Sequence, residues 1–103
     1  MILYLVQVSI DREIADQWQR WMQDIHIPDV VATGCFQNAW MARMAESDTE
    51  ARRAYRMVYL AKSKDSLDRY QAEFAPALQM DHTERFEGRF DASRELLDVI
   101  ETY

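Results

Sequence analysis

The chain has 103 residues, of which 49% are hydrophobic, and its 18 acidic and 12 basic side chains give a formal charge of −6. This length is typical of one domain, and an acidic chain whose basic residues are scattered is not expected to bind nucleic acid. Because a single cysteine cannot form an intrachain disulfide, a small secreted scaffold is disfavoured, and we predict one cytoplasmic domain over residues 1–103.

The amino terminus predicts a strand followed by an amphipathic helix. Residues 2–8 are rich in Ile, Leu, Val and Tyr, which is typical of a strand with apolar groups on both faces. This segment lacks the basic region, the cleavage site and the length of a signal or membrane segment, so no membrane partner is predicted. In SIDREIADQWQRWMQDI the apolar side chains recur at helical spacing, and Asp11 is placed to cap the helix at its amino end.

The segment HIPDVVATGCF, residues 26–36, is predicted to carry the chain from this helix into the sheet. Pro28 disfavours helical geometry at Ile27, so the first helix should bend near His26. A short turn then runs to Thr33, and Gly34 closes it in the left-handed conformation. Two further strands are predicted in CFQNAWMARMA and RAYRMVYLAK, joined by the polar segment ESDTEAR.

The second half of the chain repeats this order. Ser63 can cap a helix in SKDSLDRYQAEFAPALQMDHTERF, which Pro76 interrupts and Gly88 ends. The tail RFDASRELLDVIETY has features of both a strand and a helix, and we assign part of it to a fourth strand because three strands would leave an exposed edge.

The resulting order, β-α-β-β-α-β, is the ferredoxin-like pattern, an α+β fold with a four-stranded antiparallel sheet and two helices on one face. Two helices cover only one face of a sheet, whereas the first and third predicted strands carry apolar residues on both. We therefore predict a twofold homodimer in which the uncovered faces of two sheets pack together.

Three segments carry a family resemblance. HIPDVVATGCF, AYRMVYLAKSKDSLDRYQAEFAPAL and RFEGRFDASRELL resemble a small bacterial family known only as a domain of unknown function, close to the dimeric α+β barrel superfamily. The resemblance covers nearly the whole chain and implies the fold and the dimer, although Asp91 stands where the family pattern leads us to expect an apolar residue. It implies no single reaction, because that superfamily includes cofactor-independent oxygenases, lactone isomerases, haem-degrading oxygenases and stress-responsive proteins.

No motif for a cofactor or a metal is present. With only Gly34 and Gly88, the chain has no glycine-rich phosphate-binding loop, and it has no HExxH or CxxC motif. The DHTE segment at residues 81–84 is interpreted as a polar helix surface, and Cys35 as a small buried residue. We predict no cofactor and no metal site.

His26 is the best candidate for a catalytic residue. A structural role is favoured, in which the ring accepts or donates a hydrogen bond at the bend beside Pro28. In the alternative role the ring faces the cleft between sheet and helices and carries a proton to or from a ligand. His82 is predicted to point outward and to lie far from His26, because the two helices run antiparallel.

The candidate ligand-pocket residues are His26, Trp40, Tyr59 and Arg43. Aromatic rings with polar tips are typical of small-molecule pockets, and Arg43, on the opposite strand face from Trp40, could meet an anionic ligand. Two functions remain open. One is a dimeric binding or structural module with a cleft for a small hydrophobic ligand; the other is a cofactor-independent oxygenase or isomerase of a hydrophobic or aromatic metabolite, with His26 as the proton carrier.

Overall fold

Four antiparallel strands form the sheet of the computed structural model, which describes all 103 residues. The strands are β1 (Ile2–Asp11), β2 (Phe36–Arg43), β3 (Arg52–Ala61) and β4 (Phe90–Asp98), in the spatial order β2-β3-β1-β4. Each predicted helix consists of two segments, α1 (Arg12–Trp21) with α2 (Ile27–Ala32) and α3 (Lys64–Glu73) with α4 (Ala75–Phe86). This order confirms the predicted ferredoxin-like α+β fold. The longest helix has 12 residues, and no helix is both long and apolar enough to cross a membrane.

The first helix does not end at His26, and here the prediction was wrong. A π-helical turn, Met22–His26, joins α1 directly to α2, and Ile27 has helical angles of φ −63° and ψ −44°. The N–H of Ile27 donates to the carbonyl of Met22, five residues back, so the hydrogen-bond ladder is already shifted where Pro28 offers no N–H. The helix therefore continues past the proline, and Gly34 follows it with the predicted left-handed φ of 78°.

The capping predictions had different outcomes. The hydroxyl of Ser63 accepts a hydrogen bond from the N–H of Ser66 at 3.2 Å, which confirms the cap of α3. Asp11 occupies the cap position of α1, but its carboxylate caps nothing and instead accepts hydrogen bonds from Arg89 at 2.7 Å and Arg52 at 3.0 Å. These two guanidinium groups lower the pKa of Asp11.

The two faces of the sheet differ because successive side chains of a strand alternate. On β1, the rings and branched side chains of Tyr4, Val8 and Ile10 are buried under the helices. The opposite face, called the outer face below, carries an apolar patch on all four strands. Its residues are Leu3, Leu5, Trp40, Val58, Leu60 and Leu97, matched by strand pairing, with Trp40 48% exposed and Leu97 45% exposed.

Gly34→Ala is expected to lower the free energy of unfolding by about 1 kcal/mol. A Cβ at this position would have no heavy atom within 4 Å, so the cost comes from the left-handed backbone alone. Urea unfolding checks the value, with Glu87→Ala as the control, since Glu87 is exposed and has φ −51°. A Gly34→Ala protein as stable as the wild type would contradict the left-handed turn.

Candidate functional site

A cavity of about 50 Å³ lies between the inner face of the sheet and the helices. Nine of its 14 lining residues are hydrophobic, and the other five are His26, Gln79, His82, Thr83 and Arg94. Strands β1 and β3 supply most of the apolar wall, and the π-helical turn supplies Met22 and His26. Single π turns inside α-helices are frequent at functional sites. The cavity has room for a few water molecules, so a ligand enters only if flexible side chains such as Met22 and Met57 move.

The two histidines of the chain face each other in this cavity. Their ring centroids are 5.9 Å apart, and His82 is only 8% exposed, so the prediction of an outward and distant His82 was wrong. The reason is the continued first helix: because the helix runs on to Ala32, His26 lies in its middle rather than at its end. Trp21, just before the π-helical turn, also contacts this end of α4, with its ring centroid 5.9 Å from that of His82 and 5.4 Å from that of Phe86.

His82 is held in one orientation by Trp18. The indole Nε1 of Trp18, which is fully buried, donates to Nε2 of His82 at 2.9 Å. Since an indole N–H can only donate, Nε2 must be the acceptor, and the proton of the neutral imidazole is on Nδ1. Burial and the nearby His26 lower the pKa of His82 to about 4, so the ring is neutral at pH 7.

His26 makes no hydrogen bond to the chain. Its side chain does not cap α2, and its ring lies 5.2 Å from that of Trp21, centroid to centroid. Burial lowers its pKa below the ordinary value, against the opposing effects of Asp81 and Asp29. The structural hydrogen bond expected at the bend is therefore not formed. His26 presents a neutral imidazole to the cavity instead.

Tyrosines and one arginine form the other end of the cavity. The Tyr4 ring lies 5.9 Å from that of Tyr59 and 6.0 Å from that of Tyr70. Burial raises the pKa values of Tyr59 and Tyr70, so both remain phenols at neutral pH. Arg94 donates from Nε to the hydroxyl of Tyr4 at 3.1 Å, which fixes the guanidinium at the rim.

Two of the four predicted pocket residues, Trp40 and Arg43, lie outside the cavity, whereas His26 and Tyr59 line it. A β-bulge between Phe36 and Asn38 reverses the alternation of β2, so Trp40 points to the outer face although Phe36 points inward. Arg43 is on the inner face but at the edge strand, where it stacks 5.0 Å from the Tyr55 ring centroid and pairs with Asp48. The backbone N–H of Ala54 and then Arg43 lower the pKa of that aspartate.

Among the lining residues outside the predicted pocket set are His82, Tyr70 and Arg94. The helical stripe of the second helix contained a signal for the first two, since both fall on its inner side. For Arg94 the signal was the alternation of the strand, since Arg94 lies two residues after Ala92 and four after Phe90, which both face inward.

The fold and this cavity define a ferredoxin-like α+β protein with a small aromatic site under its helices. Residues 1–100 match the family described as domain of unknown function DUF4286, and the chain belongs to this family. No curated protein sequence matches the chain.

Solved structures with the same fold share little sequence with the chain. A dimeric ferredoxin-like protein from an uncultured marine organism is 10% identical, with a TM-score of 0.74 over 100% of this chain and 98% of that one. SnoaB from Streptomyces nogalater, a cofactor-independent oxygenase, is 11% identical, with a TM-score of 0.69 over 98% and 95%. A mutant of MhuD with two manganese protoporphyrin IX molecules bound per active site is 12% identical, with a TM-score of 0.72 over 100% and 98%.

A porphyrin does not fit the cavity of this chain. The volume of about 50 Å³ is far below that of pockets which enclose even drug-sized ligands. One of the two histidines, His82, already uses its Nε2 to accept the hydrogen bond from Trp18.

Proposed function

We propose that this protein binds a small aromatic or otherwise hydrophobic molecule in the cavity, which widens when the side chains of Met22 and Met57 move, and that His26 removes a proton from it. The observation that carries the proposal is the neutral ring of His26, which lines an apolar cavity and makes no hydrogen bond to the chain. A general base must be unprotonated at the working pH and must have a free lone pair, and His26 meets both conditions.

The proposed step is a proton transfer. A C–H or O–H bond of the ligand breaks, the proton goes to a ring nitrogen of His26, and the electron pair stays on the ligand as an enolate or phenolate. His82 does not compete for the proton, because its Nε2 lone pair accepts from Trp18 and its pKa is about 4. The likeness to a cofactor-independent oxygenase supports only the point that this fold can contain such chemistry.

Exchange of hydrogen for deuterium at C1 of 2-tetralone, a small ring ketone, tests the proposal in buffered D2O. The wild-type protein is expected to accelerate the exchange, and His26→Gln to lose about 10²-fold or more of that acceleration. Ile25→Ala is the matched control, since Ile25 precedes His26 but is 43% exposed and does not line the cavity. Exchange by His26→Gln at the wild-type rate would contradict the role of His26.

A binding module without turnover is the second candidate, and it is favoured by the small volume of the cavity and its lack of a dense cluster of catalytic groups. It predicts saturable ligand binding without any exchange at C1. The same experiment therefore separates the two functions.

We further propose that the outer face forms a homodimer. Its support is the apolar patch across all four strands and the dimeric state of a protein with the same fold. Contiguous exposed apolar patches on small proteins commonly mark interfaces. The cytoplasmic location remains a prediction.

A further inference from the structure

The polar lining of the cavity consists of bases, hydrogen-bond donors and one cation, without a carboxylate. None of the 14 lining residues is Asp or Glu, although the chain has 18 acidic and 12 basic side chains. The one permanent charge is that of Arg94. The carboxylates of Asp81 and Asp29 act on His26 from outside this lining, so the cation is part of the cavity wall and the anions lie beyond it.

Arg94 differs from the neighbouring arginines of the sheet. Arg52 pairs with Asp11 and Arg56 with Glu95, whereas Arg94 has no carboxylate within 4.0 Å. Its Nε is engaged by the Tyr4 hydroxyl, which leaves the two terminal nitrogens of the guanidinium for a ligand. Two parallel N–H donors match the oxygens of a carboxylate.

His82 adds a hydrogen-bond donor to the same cavity, and the nitrogen that carries its proton is fixed. Because Nε2 accepts from Trp18, the neutral ring carries its proton on Nδ1, and the bond from Trp18 is the one hydrogen bond that the His82 side chain makes in the chain. A ligand oxygen would supply the missing acceptor. Arg94, His26 and His82 line the same cavity, so one small molecule there can contact the cation and both rings.

We propose that the ligand of this cavity is an anion, a hydroxyaromatic or enolic acid whose charged oxygens pair with Arg94 and one of whose oxygens accepts from Nδ1–H of His82. This inference takes the location of the ligand from the proposed function but does not depend on proton transfer. It assigns Arg94 as the residue that selects for negative charge and Trp18 as the residue that positions the donor of His82.

Salicylate and salicylamide test the selection for charge, because they share the ring and the hydroxyl and differ in the carboxylate. Calorimetric titration at pH 7 should show that the wild type binds salicylate about tenfold tighter or more, equivalent to about 1.4 kcal/mol. Arg94→Gln should remove this preference, and Arg94→Lys should restore part of it, because lysine keeps the charge but loses the paired donors.

Arg20→Gln is the matched control, since Arg20 also forms no salt bridge but lies outside the cavity, and it should keep the full preference. Equal affinities for the two compounds, a preference unchanged in Arg94→Gln, or no saturable binding of salicylate to a folded wild type would each overturn the inference. The salicylate preference should persist in His26→Gln. A protein that shows this preference but no tetralone exchange would refute the proton transfer and leave the anion site standing.

Discussion

Lowering the pH from 7 to 4 is expected to remove up to about 3 kcal/mol of stability through His82 alone. The folded-state pKa of His82 is about 4, against about 6.5 in an unfolded chain. Between these values the unfolded state binds more protons than the folded state, so the free energy of unfolding falls as the pH falls. Protonation also turns Nε2 into a donor that faces the N–H of Trp18, which leaves a buried indole without its acceptor. His26, whose pKa is also lowered, acts in the same direction.

Urea unfolding across this pH range measures the effect, and His82→Gln is the informative variant because an amide oxygen can still accept from Trp18. The variant should lose most of the slope between pH 6.5 and pH 4. Of the charged groups around His82, the guanidinium of Arg94 lowers the pKa of His82 further and the carboxylate of Asp81 raises it. Asp11 and Asp48, whose pKa values are lowered, contribute stability that is lost only at more acidic pH. An unchanged slope in His82→Gln would refute the account of the buried histidine.

Trp40→Glu combined with Leu97→Glu is expected to convert a dimer into a monomer. Light scattering of the wild type should give about twice the chain mass of 12.2 kDa, and the double variant should give one chain mass. In a twofold interface each substitution occurs twice, so the interface would contain four carboxylates. Each would lose its hydration in an apolar contact, at a cost of several kcal/mol for each buried ion. Both side chains are nearly half exposed in the single chain, so the monomer should remain folded.

Met80→Glu is the control for the dimer, since Met80 is 62% exposed but lies on α4, away from the outer face. It should have the wild-type mass and the same far-ultraviolet spectrum. A monomeric wild type, or a double variant that remains dimeric, would contradict the outer-face interface.

Periodicity in the sequence is enough to predict the fold. The strand β1, the stripe of α1, the Ser63 cap and Gly34 each depend on local chemistry, and local chemistry can be read residue by residue. The same kind of reasoning failed at Pro28. The local rule predicts a break, but a π turn shifts the backbone hydrogen bonds and the helix continues.

The site could be predicted only in part. It depends on the face of the strand to which each side chain points, and on contacts between segments that are distant in the sequence. His82 and Trp18 are 64 residues apart, and nothing in either segment alone indicates their hydrogen bond. The position of Trp40 depends on one extra residue in the bulge after Phe36, which turns every later side chain of β2 to the opposite face. Tyr59 is on a strand without a bulge, and its side chain points to the inner face of the sheet, as strand alternation predicts.

A histidine nitrogen spectrum of the ¹⁵N-labelled protein at pH 7 reports the protonation state of the two imidazole rings, on which the proton transfer and the donor role of His82 both depend. The chain has only two histidines, and His82→Gln assigns them. Two neutral rings are expected, with His82 protonated on Nδ1 and not on Nε2, and the nitrogen signals of His26 should shift when salicylate is added. A cationic ring at pH 7, or a His82 that carries its proton on Nε2, would contradict this expectation.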